Sequence, residues 1–329
     1  MRTVLGEVRS WHRPLLLMVL VMTALAGVAG VGLLVDDRTV LNESVWLKPL
    51  KFAMSFAAYG AALAWLLSRL QKAKRFGWLL GTAFAVTGLI DVGFIAVQAA
   101  RGTFSHFNNN TDKFNAIGQQ IFSIGVLGLF TASLVIAIML LFQRIGDKPL
   151  TRAIRVGVGL AFAGMAVALY LSGADAHPQQ VTDAQGRPVE LMGSHGVGVE
   201  AGGPGLPIVR WSTEGGDLRV PHFFGMHALH ALLALVLLLT VLAARIIWLR
   251  PERVRHQLLG VAAFAYTGLM TVTTFQAVRG HSAIRFDAPT LALAAGFVVL
   301  SVAALVLVVR KARLTAPIAP PARHSTLVS

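Results

Sequence analysis

The chain has 329 residues, of which 55% are hydrophobic, 13% are charged and none is cysteine, and its mean hydropathy is +0.67. The lack of cysteine excludes disulfides, thiolate metal centres and cysteine nucleophiles. The charged share is about half that of a soluble domain, so the composition indicates a membrane bundle rather than a pair of soluble domains.

A helix crossing the hydrocarbon needs about twenty apolar residues. Eight segments reach that length, at about 14–35, 47–68, 76–100, 115–143, 153–172, 221–247, 257–278 and 288–309. They predict an all-α integral membrane protein with one four-helix half over 1–150 and a second over 151–314. The Pro/Ala-rich tail, 315–329, is expected to be disordered. Arg9, Arg13 and the Ala24-x-Ala26 triplet are ingredients of a cleaved signal peptide. The apolar run continues to Val35, however, so the first segment reads as a span.

The net charge is +14, and its meaning depends on where the basic residues fall. Nineteen of the 29 Lys/Arg precede the first span, follow the last, or lie in 69–75, 144–155 and 245–255, alongside only Glu7, Asp147 and Glu252. The opposite side carries ten Lys/Arg and eleven acids. The positive-inside rule then places both termini in the cytoplasm, across a bacterial inner membrane. This excess is a topology signal that also attracts anionic headgroups. A nucleic-acid footprint would cluster its charge on a soluble face.

Three outer loops are short. The fourth, 173–220, is rich in Gly and Pro (GGPGLP at 202–207) and holds His177, His195, Arg210 and Trp211. It reads as a solvated loop of turns, with at most a hairpin; a lid over an outward-facing site is the alternative. An internal repeat accompanies these spans. TGLID (87–91) and QAARG (98–102) in the third segment are echoed by TGLMT (267–271) and QAVRG (276–280) in the seventh. His106-Phe107-Asn108 is likewise echoed by Arg285-Phe286-Asp287. Both copies run the same way, four helices apart, which predicts a direct four-plus-four duplication. At these junctions Gln98, Arg101, Gln276 and Arg279 have two readings. The arginines satisfy terminal carbonyls beside a glycine cap, or they form a pair of cations around a shared outer cavity.

Polar groups in hydrocarbon cost kilocalories, so clusters of them need a reason. The sixth segment opens at Pro221 and carries His222, His227 and His230. On an ideal helix they lie at about 0°, 140° and 80° and descend roughly 12 Å, a seam facing the bundle interior. His227 and His230, three apart on one face, are candidate ligands for a transition metal; His222 and His227 miss the usual four-residue register. WLKPLKF (46–52) opens the second segment with Lys48 and Lys51. These either snorkel beside an interfacial Trp46 or form a cationic pocket for a carboxylate, phosphate or propionate at a helix N-terminus. Asp91 lies on the Gln98 face and calls for a partner in Lys48, Lys51 or a sixth-segment histidine. Asn115, Gln119, Gln120, Ser123, Thr267, Thr271 and Thr274 add polarity to the same outer half. The inner half is nearly devoid of it, which disfavours a conduit through the whole membrane.

WLKPLKF, RGTFSHFN (101–108) and GGDLRVPHFFGMHAL (215–229) together resemble a group of bacterial integral membrane proteins to which the resemblance attaches no activity. In plan, the chain is also similar to heme A synthase: eight helices, a direct repeat of four and both termini inside. That resemblance implies heme ligation by histidines near the outer ends of the second and fourth helix of each half. His222 or His227 with His281 would match in the second half. In the first half His106 matches, while Lys48 and Lys51 stand where a histidine is expected. That family's first-loop Glu and paired cysteines have no counterpart in 36–45.

Three readings follow. The first is a redox or cofactor-binding protein holding a b-type heme or a metal ion through His222, His227, His230 and His281, with Asp217 or Asp287 fixing the other ring nitrogen. The second is a transporter or receptor for a small anion or lipid headgroup, using Lys48, Lys51, Arg101 and Arg279. The third is a scaffold whose polar residues only join helices.

Overall fold

The computed structural model describes residues 8, 10–171 and 177–315. Among them, eight helices are long and apolar enough to cross a membrane. They are α1 (Arg13–Val35), α2 (Leu47–Ser68), α3 (Lys74–Ala100), α4 (Lys113–Leu141), α5 (Lys148–Leu171), α6 (Arg219–Arg245), α7 (Glu252–Val278) and α8 (Ala288–Leu314). The tail expected to be disordered lies outside the described residues from position 316 onward.

The spans fall where hydropathy puts them, but six begin one to five residues earlier. α5 and α7 start at Lys148 and Glu252, ahead of their apolar runs. Charged first turns can project past the hydrocarbon while their backbone is already helical. The Asp147 carboxylate accepts the Leu150 N–H at 3.0 Å, and Glu252 accepts the Lys148 N–H at 2.7 Å. α6 opens at Arg219 rather than Pro221. Asp217 accepts the Arg219 backbone N–H at 3.0 Å and grips its guanidinium at 2.6 Å. Pro221 then falls in the first turn, where a missing N–H breaks no helical bond.

In each half the first helix packs on the second and third, and the fourth packs on the third. The halves meet where α4 contacts α5. One apolar core runs through Leu15 and Met18 of α1, Leu66 of α2, Ile136 of α4, Ile154 of α5 and Leu229 of α6. Many apolar side chains remain on the outside, notably along α8 (Val298, Val299, Leu307). Water would penalise that belt, whereas lipid solvates it.

Two glycines decide how closely helices approach. A Cβ on Gly225 of α6 would lie 2.6 Å from the Gly164 Cα of α5. This is the small-residue crossing that membrane helices use to bring backbones together. On α1, a Cβ at Gly32 would lie 2.5 Å from the Trp46 indole. Trp46 therefore packs on α1 and donates its Nε1–H to Asp36 at 2.7 Å, rather than standing as a free interfacial anchor. Gly32→Val is expected to lower stability by about 1–3 kcal/mol through overpacking, read as a fall in thermal midpoint in detergent.

The long loop is not simply solvated. Strands β3 (Pro178–Thr182) and β4 (Pro188–Met192) pair antiparallel, with Val181 opposite Val189, following the short β1 (Thr39–Val40) and β2 (Glu43–Ser44) pair. Val189 and Leu191 are buried. The Met192 N–H donates to the Phe107 carbonyl at 2.8 Å, and the Asn109 N–H donates to that of Glu190 at 2.8 Å. Farther on, β5 (Gly196–Val197) pairs with β6 (Gly216–Asp217), directly before α6. Gly/Pro content gave the turns and left room for a hairpin, but not the burial of that hairpin's alternate residues against the α3–α4 connection. The loop thus folds over the end of the bundle that carries the starts of α2, α4, α6 and α8.

Candidate functional site

Under that loop a group of basic side chains converges from four parts of the chain. α2 contributes Lys48, the α3–α4 connection His106, the long loop His195, and α6 both Arg219 and His222. The β5–β6 pairing aligns Gly196 with Asp217 and so carries His195 to the start of α6. The His106 and His195 rings are 6.2 Å apart. Phe52, Phe107 and Phe122 wall them in, with Phe122 4.8 Å from His106 and Phe107 5.0 Å from His195.

The charges in this cluster are unevenly paired. Lys51 pairs with Glu43 at 2.7 Å, and Arg219 pairs with buried Asp217 at 2.6 Å. Lys48 is partly buried and sits within electrostatic reach of Glu43, Arg219 and Lys51. No hydrogen bond or ion pair ties its ammonium among the described residues. Burial holds the His106 imidazole well below its ordinary pKa, with Lys48 and His222 adding to the effect. His195 is held down in the same way by burial, then by Arg219 and Lys48. Both rings are therefore neutral at neutral pH, and the His195 Nδ1 is buried without a partner.

A base whose pKa is depressed on folding binds fewer protons than it does in the unfolded chain. Its contribution to stability is present above about pH 6.5 and falls as acid protonates the unfolded state first. The thermal midpoint is expected to drop between pH 7.5 and 5. Changing both His106 and His195 to Gln should flatten that drop; an unaltered profile would rule these two groups out as its source.

The α6 histidines divide. His222 Nδ1–H donates to the Gly164 carbonyl at 2.9 Å, a bond that the close α5–α6 crossing makes possible. Asp217, expected to hold a histidine nitrogen, instead holds Arg219. His227 lies against Phe223, and its ring is 5.4 Å from His230. His230 is 6.0 Å from the Tyr59 ring, and both of its nitrogens are buried without a partner. Basic rings thus step from the loop toward the middle of the bundle. Among the described residues, no three His, Cys, Asp or Glu side chains are placed to share a metal ion, so the His227/His230 pair lacks a third ligand of these types.

The remaining expected residues lie elsewhere. His281 is 41% exposed and faces Asp287 at 3.5 Å; no hydrogen bond or ring contact joins it to His222, His227 or His230. Asp91 is buried against Gly125 of α4, and neither carboxylate oxygen has a hydrogen-bond partner. The partner expected among Lys48, Lys51 and the α6 histidines does not reach it.

Arg101 and Arg279 do not face a common cavity. Arg101 pairs with Asp112, the cap of α4, at 3.1 Å, and Arg279 pairs with Asp287, the cap of α8, at 2.5 Å. The Arg279 and Thr290 contacts hold the Asp287 carboxyl well below the usual range. Each arginine also covers a phenylalanine, Phe114 or Phe275. Gln98 donates to the Phe104 carbonyl and Gln276 to the Ser282 carbonyl, six residues on in both cases. Thr267, Thr271 and Thr274 bond to carbonyls of their own helix, and Asn115 and Gln119 tie α4 to the 104–110 connection.

Two members of the chamber escaped sequence reasoning. Arg219 had a signal: a basic residue just ahead of a helix on the acid-balanced side, two residues after an acid. His195 had none, because only nonlocal strand pairing brings it inward.

Together, fold and site define a multi-pass helical membrane architecture with a basic, loop-covered cluster of side chains at one end. No family model, curated protein or solved structure matches the chain.

Proposed function

We propose that this protein spans a bacterial inner membrane eight times, with both termini in the cytoplasm, and binds a small oxyanion in the loop-covered chamber at its outer end. The observation that carries the reading is the partly buried Lys48 ammonium, tied by no hydrogen bond or ion pair among the described residues and within electrostatic reach of His106, His195 and Arg219. A partly buried cation with no direct ion pair is costly, and an anionic guest lowers that cost. Neutral His106 and His195 each carry one N–H to donate, whereas His222, whose Nδ1–H is taken by Gly164, donates from Nε2 only once protonated; a bound anion raises the proton affinity of all three. Binding therefore tightens as pH falls and the rings take up protons. The hairpin and His195 act as a cover that keeps water from competing with the guest. The matched Gln–Arg–Asp junctions after α3 and α7 support a direct four-plus-four duplication, and they give Arg101 and Arg279 a structural role.

A test is the thermal midpoint of detergent-purified protein titrated with phosphate, sulfate or succinate, against chloride at equal ionic strength. A saturable rise, larger at pH 6 than at pH 8, is expected; no rise with any of the three removes the proposal.

A heme is the second reading, and one observation favours it. The Gly164 carbonyl takes the Nδ1–H of His222 and leaves Nε2 free to ligate, the arrangement typical of a ligating histidine. Lys48 and Arg219 would then hold the propionates. His281, directed at Asp287, does not supply the second axial ligand that the heme A synthase plan implies. A Soret band in the purified protein would establish this reading, and its absence would remove it.

A further inference from the structure

The opposite end of the bundle holds a second basic site, independent of the chamber. A cavity of about 520 Å³ lies where α5 and α7 begin, and Arg144, Lys148, Arg152, Arg155 and His256 line it. A topological excess of charge needs only exposed basic residues on the correct side. Here the cations are gathered in a concave space, and no carboxylate lines it. The acids nearby are engaged elsewhere: Glu252 accepts the Lys148 backbone N–H, and Asp147 accepts that of Leu150 and faces Arg255 at 3.9 Å.

The cavity is built rather than incidental. Arg152 reaches across from α5 to donate to the His256 carbonyl at 3.0 Å. Gly260 of α7 leaves the room for that guanidinium, since a Cβ there would collide with Arg152 Nη1. His256 itself has a buried Nδ1 with no partner. Arg144, Lys148 and Arg155 are exposed and pair with no carboxylate among the described residues. One fixed guanidinium, Arg152, ringed by exposed guanidinium and ammonium donors, suits a tetrahedral phosphate better than an apolar guest.

We propose that this cavity is a binding site for a phosphate group, either that of an anionic phospholipid at the headgroup level or a free phosphate. Its place at the ends of membrane helices is where basic pockets take lipid headgroups.

The test uses full-length Lys48→Met protein, so that the chamber at the other end does not contribute. Thermal midpoint is read after adding phosphatidylglycerol, phosphatidylcholine or inorganic phosphate to delipidated protein. Stabilisation by phosphatidylglycerol above phosphatidylcholine identifies a lipid phosphate, and saturable stabilisation by inorganic phosphate alone identifies a free one. In either case the Lys148→Gln/Arg155→Gln variant is expected to weaken the effect at least tenfold in concentration. That pair leaves the Arg152 bond to His256 in place. The charge-matched control Lys74→Gln/Arg75→Gln, at the start of α3, should leave it unchanged. Equal loss in both variants, or no stabilisation by either phosphate source, overturns the proposal.

Discussion

Gly225→Leu is expected to cost about 3 kcal/mol or more of stability, because the collision is with backbone. A Cβ on Gly225 would meet the Gly164 Cα at 2.6 Å and the Gly164 nitrogen and Leu160 carbonyl at 2.9 Å. No rotamer change relieves contacts of that kind, so α5 and α6 must separate. Separation also breaks the His222 bond to the Gly164 carbonyl and removes His222 from the chamber. Gly159→Leu is the internal control, since it lies on the same helix as Gly164 with nothing within 4 Å of its Cβ position. Size-exclusion behaviour and thermal midpoint in detergent should therefore separate the two variants clearly. Similar behaviour of both would show that α5 and α6 are not packed this closely.

Lys48→Met is expected to weaken oxyanion binding at least tenfold, which is about 1.4 kcal/mol or more. Methionine keeps the length of the side chain and the fold while removing the one chamber cation without a partner. Glu43→Gln should act oppositely and tighten binding, because Glu43 is the acid within reach of Lys48 and the partner of Lys51. The two shifts, measured by titrating phosphate at constant ionic strength, form a pair of opposite sign. A scaffold whose polar side chains merely join helices predicts changes in stability alone, with no binding curve to move.

Much of this molecule was legible in its sequence because hydropathy and basic-residue placement are local signals. Eight apolar runs gave eight helices, with errors at their ends: Lys148–Thr151 is helical ahead of the apolar run, and α8 continues past its own to Leu314. The repeated QAARG and QAVRG junctions were visible, but the two arginines take neither expected role: each pairs with the acid capping the next helix. The polar seam on α6 and the lysines of α2 were found as candidates. What they would face was not readable. Lys51 is neutralised by Glu43, eight residues earlier across a helix start. His195 enters through strand pairing, and His281 turns to Asp287 instead of α6. Asp91 was expected to find a cation and finds Gly125. Each of these depends on which neighbour comes nearest in space, and a periodicity argument carries no information on that.

A density map of the purified protein, obtained by cryo-electron microscopy with phosphate and again with chloride alone, tests the chamber most directly. With phosphate, density for a bound anion is predicted within hydrogen-bond distance of Lys48 Nζ and the His106, His195 and His222 rings, beneath the 178–192 hairpin. A Lys48 side chain turned outward to the headgroups, with the space between those rings the same in both maps, would contradict it.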